Sequence, residues 1–564
     1  MKKNSLYFLV AVLSATVLFA CNGLKKMEKH IEELGASASP NPLEVHGDSV
    51  AVTITGKFPP KYFHRKASIE ATPVLVYEGG EAAYKKQGYQ GEQAAGNFPV
   101  IPYNEGKSFS YTDKVAYIPA METSAMELRI HGKKGNKEAD FEPVPVAPGV
   151  ITTPYLMKSD DKAMFAQDKF VRTLSYTYDQ AQINFDYNSS AIRSGELKDK
   201  DINDLIAFLD EAAKNPRLVI RKIEFVGYAS PEGEMLLNDN LASDRTEAAK
   251  KAINDIIKKK KYTNISESVY VSTPKGEDWE GFRTEMEKSN IEDRNIIINV
   301  LKMTSDLNQR EQEIKNISKT YVEIQKSIFP LLRRTRIIVH YDLEGYSDAE
   351  LSQIASSNPS ALKYEELMKA ATLTDDLAQK ATIYQTAAGK EDADYRAANN
   401  LGTVYYMQNK LNDAETQWKK AYEMQKAAET SNNMGIVSRL KGDRQQALTY
   451  FAEAGASNET DYNVGLVNIQ NGDYATAVSK MSNYKTFNTA LAKLLNKDFG
   501  GAASDLEASG DSSAMADYLR AVIAARNNDA STAVSAIKSA IQKDGSLASK
   551  AKKDLEFRNI KDQF

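Results

Sequence analysis

Residues 401–418 read Leu-Gly-Thr-Val-Tyr-Tyr-Met-Gln-Asn-Lys-Leu-Asn-Asp-Ala-Glu-Thr-Gln-Trp, and their spacing returns twice further along the chain. Aligning Leu401-Gly402 with Met434-Gly435 and Val464-Gly465 brings Ala414, Ala447 and Ala477 into one column and Trp418, Phe451 and Met481 into another. The glycines lie 33 and then 30 residues apart. Each column has a physical reason: the glycine lets two antiparallel helices approach closely, the alanine packs against it, and the bulky residue four positions on fills the seam. More worn copies follow, marked by Ala490 with Ala502 and by Ala521 with Ala533, Ile537 and Ala540, while Leu362 to Ala388 forms an atypical leading pair. Helical pairs at this period stack into a solenoid, and at least three are needed to bury a continuous core.

The interval is close to the tetratricopeptide length of about 34 residues, and residues 347–564 resemble an array of that repeat. The resemblance implies an all-α solenoid that binds another protein.

Towards the N-terminus, between 170 and 345, the pattern becomes mixed. Helical spacing over Asp201–Leu209 gives way to Pro216 and then to a strand, Val219–Val226, in which Ile223 and Phe225 face one way and Lys222 and Glu224 the other. A turn at Pro231-Glu232-Gly233, a helix from Arg245 to Ile257 and a late apolar strand, Ile337-Ile338-Val339, complete an α+β order with helices on one face.

Within that region Gly227-Tyr228-Ala229-Ser230-Pro231-Glu232-Gly233, followed by Asn238, Leu241 and Arg245, resembles the core motif of OmpA-like peptidoglycan-associated domains. Asn184-Phe185-Asp186-Tyr187-Asn188-Ser189-Ser190-Ala191 resembles the strand and loop that open that fold, and Arg333 to Val339 its closing strand. An insertion occupies about 274–331. Its segment Gly276-Glu277-Asp278-Trp279-Glu280-Gly281, with Phe329-Pro330-Leu331-Leu332-Arg333-Arg334, is similar to the variant found in Bacteroidota envelope proteins. Trp279 is expected to anchor the insertion against the sheet, the usual service of so large a ring.

The resemblance implies a partner. In that family an aspartate after the turn holds the ammonium of the diamino acid in a peptidoglycan stem peptide, and an arginine fifteen residues on holds its carboxylate. The arginine falls on Arg245 and the aspartate position on Ser230. A guanidinium fork suits bidentate carboxylate binding, but half of the pair is missing. Tyr228, Asn238 and Glu232 belong to the same candidate site, with Ser230 as an acceptor and Glu232 as a substitute charge. The alternative for Arg245 is a helix-start arginine paired with Asp239 or Glu232.

Further out, from 46 to 160, the period falls to two. Val50, Val52 and Ile54 alternate with Ser49, Ala51 and Thr53, as Met126, Leu128 and Ile130 do with Glu127 and Arg129. Turn signals at Gly79-Gly80, Asn104-Glu105-Gly106 and Gly132-Lys-Lys-Gly135 separate the runs, which predicts a β-sandwich used for spacing or docking. Residues 21–45 are polar, contain Gly35-Ala-Ser-Ala-Ser-Pro40, and read as a tether. Residues 1–20 have a basic start at Lys2 and Lys3 and an apolar run from Leu6 to Phe19, the form of a secretory signal. Leu18-Phe19-Ala20-Cys21 resembles a lipobox, which implies acylation of Cys21 by chains such as palmitate and a lipid-anchored lipoprotein of the outer membrane. Lys25 and Lys26 follow the anchor where surface-bound lipoproteins tend to be acidic, so the chain is expected to face the periplasm.

Composition narrows the chemistry. A net charge of -4 over 564 residues disfavours nucleic acid as a partner. The single cysteine and five scattered histidines, His30, His46, His64, His131 and His340, offer no metal-ligand spacing, and no cofactor is expected. Lys258 to Lys261 reads as a solvated helix end, and Asp160-Asp161 and Asp375-Asp376 are not a general acid and base pair. No nucleophile elbow, Walker loop or His-Glu-x-x-His helix occurs, so the chain reads as a non-enzyme. The expected protein is an outer-membrane-anchored lipoprotein with a β-sandwich, an OmpA-like domain on peptidoglycan and a repeat solenoid that scaffolds envelope proteins. The alternative is a subunit of an envelope assembly, secretion or fimbrial complex whose OmpA-like domain has given up the wall.

Overall fold

A computed structural model describes residues 22–564, so the signal segment and Cys21 lie outside the described residues. The chain divides into two compact units, one made of residues up to Ala166 together with Asp394–Phe564, the other of Gln167–Ala393. Among the described residues no helix is long and apolar enough to cross a membrane.

The first unit begins with two facing sheets. One is built on Ser49–Phe58, paired with Lys107–Ala116 and with the short strands Ser37–Ser39 and Leu43–His46. The other is built on Ser68–Tyr77 and Ser124–Lys134, which pair antiparallel along their full length. Val50, Val52, Ile54, Met126, Leu128 and Ile130 all face the common core, as the period of two requires.

Of the expected tether, 21–45, the described residues 22–45 are folded. Asn22–Lys29 is a helix, Ser37–Ser39 pairs with Ser49–Phe58, and Leu24 and Met27 are 0% and 1% exposed against the sandwich core. The Tyr62 hydroxyl donates to the Met27 carbonyl at 2.8 Å. Leu24, Met27, Ile31 and Leu34 recur at helical spacing, and that short apolar stripe, hidden among lysines and glutamates, is what docks.

The solenoid consists of antiparallel helix pairs, of which Tyr395–Met407 with Leu411–Met424, Ala428–Leu440 with Arg444–Ala454 and Asn458–Asn471 with Tyr474–Lys480 are the first three. A Cβ added at Gly402 would stand 2.6 Å from the Trp418 ring, at Gly435 2.4 Å from Phe451, and at Gly465 2.1 Å from Met481. Ala414, Ala447 and Ala477 are buried in the same seams. Asp443, Asp473, Asp498 and Asp529 each cap a second helix by accepting a backbone N–H three residues on.

Helices Asp348–Ser357, Tyr364–Thr372 and Leu377–Ala388 belong to the second unit, so the solenoid begins at 394 and not at 347. The predicted leading pair folds there as a true helical pair.

Ionic contacts join the sandwich to the solenoid, Arg444 with Asp48 at 2.8 Å and Arg526 with Glu44 at 3.2 Å, and Arg526 also pairs within the solenoid with Glu556 at 2.7 Å. Beside them Asp554 is buried, accepts the Tyr518 hydroxyl at 2.6 Å, and is pushed up by burial to about 6. Its folded value lies above its unfolded one, so its contribution is full at low pH and is lost as pH rises from about 4 through about 6. Denaturant unfolding at stepped pH is expected to show the natural protein losing stability relative to Asp554→Asn across that window; parallel curves would contradict it.

The second unit is an α+β domain. Its four-stranded sheet has the order Thr173–Asn184, Arg334–Glu344, Leu218–Ala229, Tyr270–Glu277, and only the last two neighbours are parallel. Helices Lys200–Lys214 and Met235–Lys260 bury Ile202, Leu205, Leu209, Ala249, Ile253 and Ile257 with Ile183, Ile223, Phe225, Ile337 and Val339 of the strands. The insertion starts later than expected, at Trp279, because the strand runs on to Glu277. It is a cluster of short helices with its own core of Phe282, Met286, Ile297, Ile314, Ile324 and Phe329. Trp279 is half-buried and meets Phe282 edge-on at 5.9 Å, so it packs within the insertion, while its indole N–H donates to Glu277 at 2.8 Å.

Candidate functional site

Two places concentrate buried polar groups. In the α+β domain, the end of the strand Leu218–Ala229 and the helix Met235–Lys260 approach closely at Gly227, where a Cβ would meet Thr246 Oγ1 at 2.0 Å and the Ala242 carbonyl at 2.4 Å. That close approach brings Arg245 under the loop that follows the strand. Its side chain is 1% exposed, and its guanidinium donates to three carbonyls: Ser189 at 2.9 Å, Tyr228 at 3.0 Å and Asp186 at 3.1 Å. Burial, with Arg333 close by, lowers it to about 10. Neither Asp239 nor Glu232 is its partner.

Ser230 and Glu232 are also buried. The Ser230 hydroxyl donates to the Glu232 carboxylate at 2.7 Å, and Arg333 donates to the same carboxylate at 2.6 Å. Asn238 donates to Glu277 at 2.8 Å and to the Glu232 carbonyl at 3.3 Å. Tyr228 is half-buried under Arg334, and burial raises its hydroxyl. The insertion closes over the turn: the Gly233 N–H donates to Glu311 at 2.8 Å. The structure thus brings Arg245, Ser230, Tyr228, Asn238 and Glu232 into one neighbourhood, but their donors and acceptors face each other and the backbone.

The second place was not found from the sequence. Residues 158–166 leave the sandwich and run as an extended strap along the solenoid. Each of four buried asparagines grips one strap residue with both ends of its carboxamide. Asn400 accepts from the Ala166 N–H at 2.7 Å and donates to the Ala166 carbonyl at 2.8 Å. Asn433 does the same to Met164 at 2.9 Å each way, Asn463 to Lys162 at 2.8 and 3.0 Å, and Asn488 to Lys158 at 2.9 and 2.8 Å. Asn399 and Asn432 add donors to Met164 and Lys162. The strap advances two residues per repeat from Ala166 to Lys162 and four from Lys162 to Lys158, an even spacing that keeps the gripped residues on one edge of the extended chain.

Between the rungs lie two carboxylates. Asp161 receives the Arg439 guanidinium through both Nε and Nη2, and both side chains are essentially sealed from solvent. The Tyr406 hydroxyl donates to Asp161 at 3.3 Å, and burial raises that tyrosine. Asp160 accepts from the Tyr462 hydroxyl at 2.7 Å and from Asn488 at 2.6 Å. The signal for this groove was present: Asn400, Asn433, Asn463 and Asn488 each stand two residues before the small residue of their repeat, Gly402, Gly435, Gly465 and Ala490.

A tetratricopeptide repeat model matches residues 396–429. No curated protein matches the chain. Among solved structures, PilW, a widely conserved type IV pilus biogenesis factor, is 14% identical, with a TM-score of 0.26 over 38% of this chain and 97% of its own. Pseudomonas aeruginosa PilF is 17% identical, with a TM-score of 0.28 over 38% and 99%. A tetratricopeptide repeat protein of Parabacteroides merdae is 15% identical, with a TM-score of 0.27 over 35% and 85%.

Proposed function

We infer that this chain is a non-enzymatic envelope scaffold, exported and held at the outer membrane by acyl chains on Cys21. Its tetratricopeptide solenoid engages another envelope protein. Its α+β domain is OmpA-like by motif but no longer takes a peptidoglycan stem peptide. Repeats of this kind serve protein–protein interaction, which supports the scaffold. The observation that carries the loss of wall binding is Arg245, 1% exposed and committed to three backbone carbonyls. A ligand carboxylate would have to displace those bonds inside a buried site, and stripping a buried charge of its partners is costly. The position that would balance an ammonium holds Ser230, and the nearby Glu232 is already neutralised by Arg333.

Sedimentation of the mature protein with purified peptidoglycan tests this reading. The expected result is no retention of either the natural protein or Arg245→Ala. Retention of the natural protein that Arg245→Ala abolishes would return the domain to the wall. Cross-linking in cells is expected to capture a stoichiometric envelope partner.

A further inference from the structure

Residues 158–166 fill the solenoid groove in cis, held by the backbone as an extended peptide would be. The four carboxamides each read one backbone N–H and C=O pair, and Asn488 alone also reaches a strap side chain, Asp160, so most of the ladder is indifferent to the side chains of an extended segment. Strap side chains are read as well, by Tyr462 on Asp160, by Asp511 on Lys158 and, in the contact sealed from solvent, by the Arg439 fork on the Asp161 carboxylate. The groove is ill suited to standing empty. Asn400, Asn433, Asn463 and Asn488 are 0–1% exposed, and without a strap each carboxamide would lose its backbone partners and the Arg439 charge its carboxylate. An occupant therefore leaves by exchange for another with the same chemistry.

We propose that this groove is an exchangeable binding site for an extended segment of a partner protein that carries an aspartate in the Asp161 register, which enters by displacing Lys158–Ala166 and placing that carboxylate on Arg439. The strap has the advantage of tethering, since its covalent connection gives it a high effective concentration in the groove. An incoming segment succeeds where it is itself held nearby or where the strap is weakened. The proposal rests on the reading of the solenoid as a protein-interaction module. Its test uses the chain's own segment as probe, so the absence of an envelope partner would leave the result unaffected.

The probe is a fluorescent synthetic peptide of residues 157–167, Met-Lys-Ser-Asp-Asp-Lys-Ala-Met-Phe-Ala-Gln, titrated into the full mature protein. The Asp161→Asn protein, whose strap lacks the charge, is expected to bind it at least tenfold more tightly than the natural protein. A peptide with asparagine at the Asp161 position is expected to lose that preference, as is the natural peptide on Asp161→Asn combined with Arg439→Ala. Equal affinity of the peptide for natural and Asp161→Asn protein, or equal affinity of the two peptides for Asp161→Asn, would overturn the proposal. Should Asp161→Asn fail to fold, it is refolded with excess peptide: recovery of its helical signal with the aspartate peptide and not with the asparagine one supports the site, and no recovery refutes it. In the natural protein, hydrogen exchange at the amides of Lys162, Met164 and Ala166 is expected to rise severalfold with millimolar aspartate peptide. Unchanged exchange at that concentration counts against displacement.

Discussion

Replacing Asp161 by alanine is expected to lower the stability of the sandwich and solenoid unit by about 3–5 kcal/mol, the cost of leaving one member of a buried ion pair without its partner. The magnitude follows from the surroundings. Arg439 and Asp161 are sealed from solvent, their contact is two-pronged, and Tyr406 supplies a further donor. With the carboxylate gone, the Arg439 charge stays in a groove lined by amides whose donors and acceptors are already engaged. The neighbouring carboxylate provides the control. Asp160 keeps 32% of its side chain exposed, so Asp160→Ala is expected to cost clearly less, nearer the about 1–3 kcal/mol of lost hydrogen bonds. Urea unfolding followed by circular dichroism measures both. A loss under about 1 kcal/mol for Asp161→Ala would mean that the groove opens and hydrates the arginine.

Trp418→Ala is expected to cost a similar amount, about 3–5 kcal/mol, through the cavity left in the first repeat seam. The indole is 1% exposed, covers Gly402, and donates at 3.2 Å to the Asn399 carbonyl and to Thr403 Oγ1. Asn399 itself holds the strap, so the cavity also loosens the helix that carries the first rung of the ladder. The two columns of the repeat are coupled by this geometry. Gly402→Ala alone drives a methyl group to 2.6 Å from the ring and destabilises, whereas in the Trp418→Ala background the same methyl fills part of the cavity. A double-mutant cycle is expected to give a favourable coupling, and strict additivity would show that the seam relaxes independently at the two positions.

Several features were legible because they depend on spacing along a short stretch. Gly402, Gly435 and Gly465 with Ala414, Ala447 and Ala477 announced the helix pairs, since a close approach and its filler recur at fixed offsets within one repeat. Val50, Val52 and Ile54 announced a half-buried strand in the same way. The order of helices and strands from Asp201 to Val339 announced an α+β domain. Other features hid in local weakness. The helix Asn22–Lys29 has only Leu24 and Met27 to bury, too few to stand out among charged neighbours, yet enough once the sandwich supplies the opposing surface. The insertion boundary was missed because Lys275, Gly276 and Glu277 carry no strand signal of their own and are drawn into the sheet by pairing with Leu218–Ala229. The candidate site around Arg245 was legible as a neighbourhood but not as an exposure. Which carbonyls a guanidinium meets depends on how the Asp186–Ser189 loop returns to the helix, and no spacing encodes that return.

Most element types and the repeat register are written in the chain, because hydrophobic period, turn chemistry and small-residue spacing act between residues a few positions apart. Only the tertiary structure decided that Lys158–Ala166 lies in the solenoid and that Arg245 is spent on the backbone. The strap residues meet their asparagines across separations of 234 to 330 positions. Contacts at that distance are selected by the joint burial of groups that cannot be satisfied separately, and that condition exists only once both partners have folded.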